Sequence, residues 1–177
     1  METEKYVFFV GHKPNKIGVQ FFSQWYPCTF VEDFNEETNI TYSCAEQYMM
    51  AHKALLFGDH QIYDQVMKSN NQDEIKSLGR KIKGFNQQIW DEHKFNIVVN
   101  GNRLKFEQNP QMMVRLLETG SKTIVEAAHY DKIWGIGLRA EDAVKIPESK
   151  WPGENLLGKA LMVVRDELNR KFENILH

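Results

Sequence analysis

Glu46 and Lys53 form the first pair in this sequence whose types and spacing could do chemistry. In a helix, at about 100° per residue, they face the same side within about 20°. A carboxylate in a helix's first turn stays ionised beside the positive end of the dipole, which suits a base or a stabiliser of developing positive charge. A lysine amine could grip a phosphate or attack a carbonyl. Each residue also has a structural reading. Glu46 stands where a capping box, Ser43-Cys-Ala-Glu46, would place its N3 carboxylate, and Lys53 fits a solvated face.

A second cluster runs from Glu126 to Gly137. Glu126 at a strand end and Asp131 beyond it, beside Trp134 and a flexible Gly135-Ile-Gly137, would form a pocket wall. The glycines are not a dinucleotide fingerprint, because Ala140 holds the third glycine position. Asp131 also reads as a turn residue and Trp134 as a core anchor. Trp90 forms a third candidate, an indole that could stack on a planar base or pack inside. The basic run Lys76, Arg80, Lys81, Lys83 could meet a phosphate or simply face water. Cys44, His52 and His60 lack metal-ligand spacing, and no nucleophile elbow, P-loop or H-E-x-x-H motif occurs.

Particular elements must position these residues. Tyr6-Val-Phe-Phe-Val10 reads as a buried strand closed by a turn. The aromatic and β-branched stretch Gly18–Phe34 predicts one or two short strands, Asn35–Asn39 a polar turn, and Ile40–Tyr42 another strand, together a small antiparallel element. Ser43 as N-cap predicts a helix to about Leu56. Further helices are expected over His60–Lys68, after Asn71 to Gly79, over Gln87–Glu107 and over Pro110–Leu117. In the long Gln87–Glu107 helix the stripe Trp90, Lys94, Ile97, Gly101, Leu104 keeps one face. Thr123–Ala127 has strand composition, His129–Gly153 reads as loop, and Asn155 caps a last helix that buries Leu157, Leu161, Val164 and Leu168. The expected fold is α+β, a single, predominantly helical domain over 1–177 with its core at about 6–172.

The 177 residues carry 22 Lys+Arg against 24 Asp+Glu and 42% apolar residues. That composition argues against disorder, and a net charge of −2 provides no basic field for nucleic acid. No apolar run approaches the ~20 residues that span a bilayer, so no membrane partner is expected. Met1-Glu-Thr-Glu4 is unlike a secretory signal. Cys28 and Cys44 read as reduced thiols of a cytoplasmic protein.

Read in order, the motifs resemble the YbiA-like, or NADAR (NAD- and ADP-ribose-associated), family. The matching pieces are Phe22-Ser-Gln-Trp25, Tyr42-Ser-Cys-Ala-Glu-Gln-Tyr48 leading to Lys53, and Leu78-Gly-Arg80. Trp90 with Lys94, Ile124-Val-Glu126, Asp131-Lys-Ile-Trp-Gly135 and Asn155-Leu-Leu-Gly158 follow, so the match spans about residues 8–170. The resemblance implies an N-glycosidase-type hydrolase that splits a ribose C1′–N bond. The substrate would be an early riboflavin-pathway intermediate or an ADP-ribosylated guanine in nucleic acid; the alternative is a non-catalytic ADP-ribose or nucleotide-binding module. It implies Glu46, Asp131, Lys53 and Glu126 as catalytic residues and Trp90, Trp134, Arg80, Phe22 and Asn155 as substrate-binding ones, with no metal and no cofactor. The family usually has an Arg and an Asp just ahead of the tryptophan matching Trp90, where this chain has Asn86-Gln-Gln-Ile89.

Overall fold

The alternation of apolar runs with capped amphipathic stretches is realised in the computed structural model, which describes residues 1–35 and 38–173. In chain order the elements are β1 (Tyr6–Phe9), a 3-10 turn (Val19–Phe22), β2 (Phe30–Asn35), β3 (Thr38–Tyr42), α1 (Ala45–Leu56), α2 (His60–Lys68) and α3 (Gln72–Gly79). They continue with α4 (Gln87–Glu107), α5 (Pro110–Leu117), β4 (Thr123–Glu126), α6 (Ala140–Ala143), a 3-10 turn (Glu148–Lys150) and α7 (Leu156–Glu173). The architecture is α+β and mostly helical. The chain divides into two compact units, Met1–Tyr26 with Pro110–His177, and Pro27–Asn109.

In the first unit β1 and β4 pair in parallel, Tyr6 opposite Thr123 and Phe9 opposite Glu126. Sequence reading identified both strands but not their pairing. Parallel partners need a long crossover, and nothing local marks which distant run will be chosen. Phe8, Val125, Ala127, Ile136 and Ala143 form a core cluster, and Trp151 packs on it with its indole N–H donated to the Ala143 carbonyl at 3.1 Å. The predicted row Leu157, Leu161, Val164, Leu168 of α7 is buried. Only part of the strand expected over Gly18–Phe34 exists: Val19–Phe22 winds into a 3-10 turn, and extended pairing starts at Phe30. The stretch expected to be loop holds the short helix α6.

In the second unit β2 and β3 form the expected antiparallel pair, with Phe30 opposite Tyr42. The polar turn expected over Asn35–Asn39 falls partly on residues 36 and 37, which lie outside the described residues. α1 packs with α2, α3 and α4. The buried face of α4 is Trp90, Val98, Val99, Gly101, Asn102, Lys105 and Phe106; it shares Trp90 and Gly101 with the predicted stripe, whose Lys94, Ile97 and Leu104 are half-buried. Lys105 is 0% exposed, and burial pushes its amine down to about 8, with the nearby thiols of Cys28 and Cys44 opposing. Both cysteines are free thiols, and burial pushes Cys44 up to about 11.

Candidate active site

The second unit places Glu46 through the way α1 begins. Cys44 is extended, so its sulfur rather than the Ser43 hydroxyl meets the N3 amide, accepting from Gln47 N at 3.4 Å. The expected capping box therefore moves on by one residue. Gln47 is 2% exposed and uses its whole amide. Its Oε1 accepts from Ser43 N at 2.8 Å and Ser43 Oγ at 3.0 Å, and its Nε2 donates to the Val66 and Ser69 carbonyls at 3.1 and 3.2 Å. Glu46, half-buried in the first turn, stands outside this box, with its charge near the helix's positive end.

Lys53 lies near it on the same face of α1. At Gly79 a Cβ would sit 2.2 Å from Met50 Sδ, so any larger residue there would have to displace the Met50 side chain. The Gly79 carbonyl reaches the Lys53 ammonium, which donates to it at 3.1 Å. The same ammonium lies 4.7 Å from the Phe85 ring centre and 5.2 Å from that of Trp90. Burial lowers its pKa, Glu46 opposes that fall and Arg80 adds to it. A lysine so placed holds more neutral amine at a given pH than a free one, which favours nucleophilic use. Trp90 is 7% exposed, with Lys53 over its ring, whereas Phe85 is 42% exposed. The open aromatic surface here is therefore Phe85, which sequence reading missed because no period marks the segment between α3 and α4. Arg80 caps α3 and is exposed.

The opposite face of α1 is held by Glu32 of β2. Its carboxylate meets His52 Nε2 at 2.8 Å and accepts from the Tyr42 hydroxyl at 2.8 Å and the Tyr48 hydroxyl at 3.3 Å. Burial opposes ionisation of Glu32. The hydrogen bond and charge of His52 and the two tyrosine hydroxyls nevertheless hold its carboxyl below the usual value.

The first unit gathers Glu126, Asp131 and Trp134. Asp131 Oδ1 accepts from Ile133 N at 2.8 Å and Trp134 N at 2.9 Å, so the turn reading of this residue holds while its other oxygen remains for further contacts. Glu126 ends β4, and its Oε2 is enclosed by protein. Between them Tyr130 is 72% exposed; burial, then the charges of Glu126 and Asp131, push its hydroxyl above its ordinary value. Asn155, buried and with φ of 54°, spends its amide on β4, donating to Ile124 O at 2.9 Å and accepting from Glu126 N at 3.0 Å. It precedes α7 as expected, but its side chain fixes Glu126 rather than the helix end. Phe22 is 0% exposed, packed against Phe9 and the Arg115 guanidinium, which makes it a core support. The Gly135-Ile-Gly137 stretch is close-packed rather than flexible: a Cβ at Gly135 would lie 3.0 Å from the Glu126 and Asp131 carbonyl oxygens.

Each unit thus offers chemistry suited to a sugar centre that turns cationic. One has a carboxylate and a depressed lysine beside aromatic rings, and the other has two carboxylates on a fixed turn. Among the described residues no group of His, Cys, Asp and Glu could hold a metal ion, and no helix is long and apolar enough to cross a membrane.

The NADAR domain model matches residues 8–169 of this chain. N-glycosidase R617 of Acanthamoeba polyphaga mimivirus is 62% identical over 167 residues, spanning 94% of this chain and 98% of that protein. Protein irg-1 of Caenorhabditis elegans is 38% identical, spanning 90% of this chain and 84% of that one. The NMR structure of the E. coli protein YbiA superposes with a TM-score of 0.74 at 21% identity, over 100% of this chain and 91% of that one, and shares its fold.

Proposed function

The chain belongs to the NADAR domain family and is a hydrolase of the N-glycosidase class; we propose that it splits the ribose C1′–N bond of a phosphorylated base–ribose compound. ADP-ribosylated guanine in nucleic acid and early riboflavin-pathway intermediates share that bond, and either would be its partner in the cytoplasm. The two free thiols support that compartment. The non-catalytic alternative is not favoured, given an N-glycosidase at 62% identity.

The observation that carries the reading is Lys53, a half-buried amine lowered in pKa and set over Trp90 and Phe85 on the Glu46 face of α1. Breaking the bond builds positive charge on ribose and negative charge on the base. A fixed carboxylate opposes the first, and one such group is worth roughly 3 kcal/mol. Glu46 takes that role, and Glu126 and Asp131 are further acid–base candidates, a help of typically about 10²–10⁴-fold. In the covalent variant the Lys53 amine attacks C1′, the base departs with a proton and the sugar ring opens to an imine. Water then hydrolyses the imine, returning the amine. Phe85 offers its exposed ring to the base, Trp90 backs the Lys53 ammonium, Arg80 faces phosphate, and Trp134 borders the Asp131 turn; Phe22 and Asn155 act as supports.

The test is mass-spectrometric detection of free base from a panel holding ribosylaminopyrimidine phosphates, ADP-ribosylated guanosine and ADP-ribosylated DNA. Wild type should release base from at least one member, and Glu46→Gln should release it about 10²–10³-fold more slowly. Equal release by both would overturn the assignment of Glu46. Borohydride should trap a sugar adduct on wild type and none on Lys53→Ala; absence from both would leave the carboxylate-only route.

A further inference from the structure

Two thiols and an amine meet in the second unit without serving the site described above. Phe30 stands opposite Tyr42 in the β2–β3 ladder, and Cys28 lies two residues before the one while Cys44 lies two after the other. The ladder carries on to them, because Cys28 N donates to the Ser43 carbonyl at 3.0 Å. Opposed residues of an antiparallel pair stand about 4.5–5.5 Å apart between Cα atoms, inside the span of about 4.4–6.8 Å over which a disulfide closes. The two thiols are near enough for the charge of Cys28 to act on Cys44.

The last turn of α4 is pinned to the same segment. Asn109 Nδ2 donates to the Thr29 carbonyl at 3.1 Å and to the Lys105 carbonyl at 2.7 Å. The Gln108 amide bonds both Val31 N and Val31 O at 2.8 Å. Lys105, in that turn, is fully buried, and its amine lies within the influence of both cysteines. Burial raises the Cys28 thiol, and the charge of Lys105 pulls it back down. A cation beside a thiol favours the thiolate, which is the form that reacts. Cys28 is half-buried and open to a small solute, whereas Cys44 is buried behind it.

From this cluster we infer that Cys28 and Cys44 form a peroxide-reactive pair: Cys28 takes the oxidant, Lys105 holds it as thiolate, and Cys44 closes a disulfide at the start of α1. In the first step the Cys28 proton passes to the Lys105 amine and the thiolate attacks one peroxide oxygen. The O–O bond breaks, the departing hydroxide takes the proton back from Lys105 as water, and Cys28 becomes a sulfenic acid. In the second step the Cys44 sulfur attacks the Cys28 sulfur, and the displaced hydroxide leaves with the Cys44 proton as a second water. The two thiols are oxidised by two electrons in all, and the peroxide is reduced to two waters. Cys44 Sγ also accepts from Gln47 N, so the new bond ties the cap of the helix that carries Glu46 and Lys53 to the segment leading into β2. The pair stands whichever way the glycosidic bond is cut.

The test treats the reduced full chain with hydrogen peroxide, then alkylates it with iodoacetamide and weighs it intact and as peptides. Wild type should lose two hydrogens, take up no alkyl group and yield a peptide joined through Cys28 and Cys44. Dithiothreitol should restore both alkylation sites. Cys44→Ser should stop at a sulfenic acid on Cys28 that dimedone traps, and Cys28→Ser should give neither the bond nor the dimedone adduct. Lys105→Met, similar in length but uncharged, should oxidise at least about tenfold more slowly through its lower thiolate content. The cysteine variants decide the bond whether or not Lys105→Met folds. A disulfide between two chains, a bond between Lys105 and Cys28, or oxidised Cys28 with Cys44 still alkylated would overturn the pair. Oxidation of folded Lys105→Met at the wild-type rate would overturn the role given to the amine.

Discussion

Glu46→Gln against Gln47→Ala separates two roles that adjacent residues share out at the start of α1. Glu46 lies outside the capping box, so its replacement by an isosteric amide leaves that box intact and removes a charge whose interaction with the helix dipole is worth about 0.3–1 kcal/mol. For a chain of this length each kcal/mol moves Tm by roughly 2–4 °C, so the loss should stay within about 4 °C. Gln47→Ala strands the part-buried Ser43 amide and the Ser69 carbonyl, while the Val66 carbonyl keeps its bond from the Ser69 amide. At about 1–3 kcal/mol for each unsatisfied group, the low end already totals about 2 kcal/mol, or roughly 4–8 °C. Turnover should reverse the order: Glu46→Gln loses about 10²–10³-fold through a missing preorganised charge, while folded Gln47→Ala retains most of its rate. A further readout follows from Lys53, whose pKa Glu46 props up. In Glu46→Gln that support is gone, and any limb of the pH–rate profile belonging to Lys53 should move to lower pH. Thermal melts and base-release rates over a pH series measure all three. A Glu46→Gln protein that melts as low as Gln47→Ala, or turns over at the wild-type rate, would refute the reasoning.

Glu32 should make the protein acid-sensitive. Its carboxyl is held below the usual 4.5, so the stabilisation it contributes is present above that pH and is lost as pH falls through the lowered value. Urea midpoints should therefore drop below about pH 4.5 in wild type. Glu32→Gln should be about 1–3 kcal/mol less stable at pH 7 and show a flatter acid dependence; parallel pH curves would count against the clamp. At Gly158 a Cβ would lie 2.1 Å from the Ile124 carbonyl oxygen and 2.5 Å from the Asn155 amide. Gly158→Ala should then cost more than about 3 kcal/mol by prising α7 from β4, and an unchanged melting temperature would show that the contact can relax.

Helices were legible because their ends carry local chemistry. Asp59, Asn71 and Asn86 each cap by accepting the amide three residues on, so α2, α3 and α4 begin where the sequence places them. Of the sequence candidates the structure sets Lys53 and Trp90 together in one unit and Glu126 and Asp131 near each other in the other, while Phe85 and Tyr130, which stand beside them, were not singled out. What stayed hidden depends on non-local contact. Cys44 replaces Ser43 as cap through backbone angle, Lys105 is drawn into a core that no polarity pattern would assign it, and the parallel pairing of β1 with β4 joins two runs far apart in the sequence.

The Gly135-Ile-Gly137 stretch is the instructive misreading, because its correction changes the expected behaviour of the candidate acids. The sequence suggests a mobile loop, yet its carbonyls from Lys132 to Ile136 accept the amides of Gly153 to Leu157 at 2.8–3.2 Å. The amides that open α7 are thereby spent on the loop, and Asp131 Oδ1 locks it from within. A segment bonded at both edges does not pay an ordering cost when ligand arrives. On the proposed reading this fixed turn would present Asp131 to developing charge without rearrangement, and Asn155 holds the neighbouring strand end, its side chain bonding β4 at Ile124 O and Glu126 N. The catalytic consequence of disturbing Asn155 should follow from Glu126 moving, without any direct contact between Asn155 and a substrate.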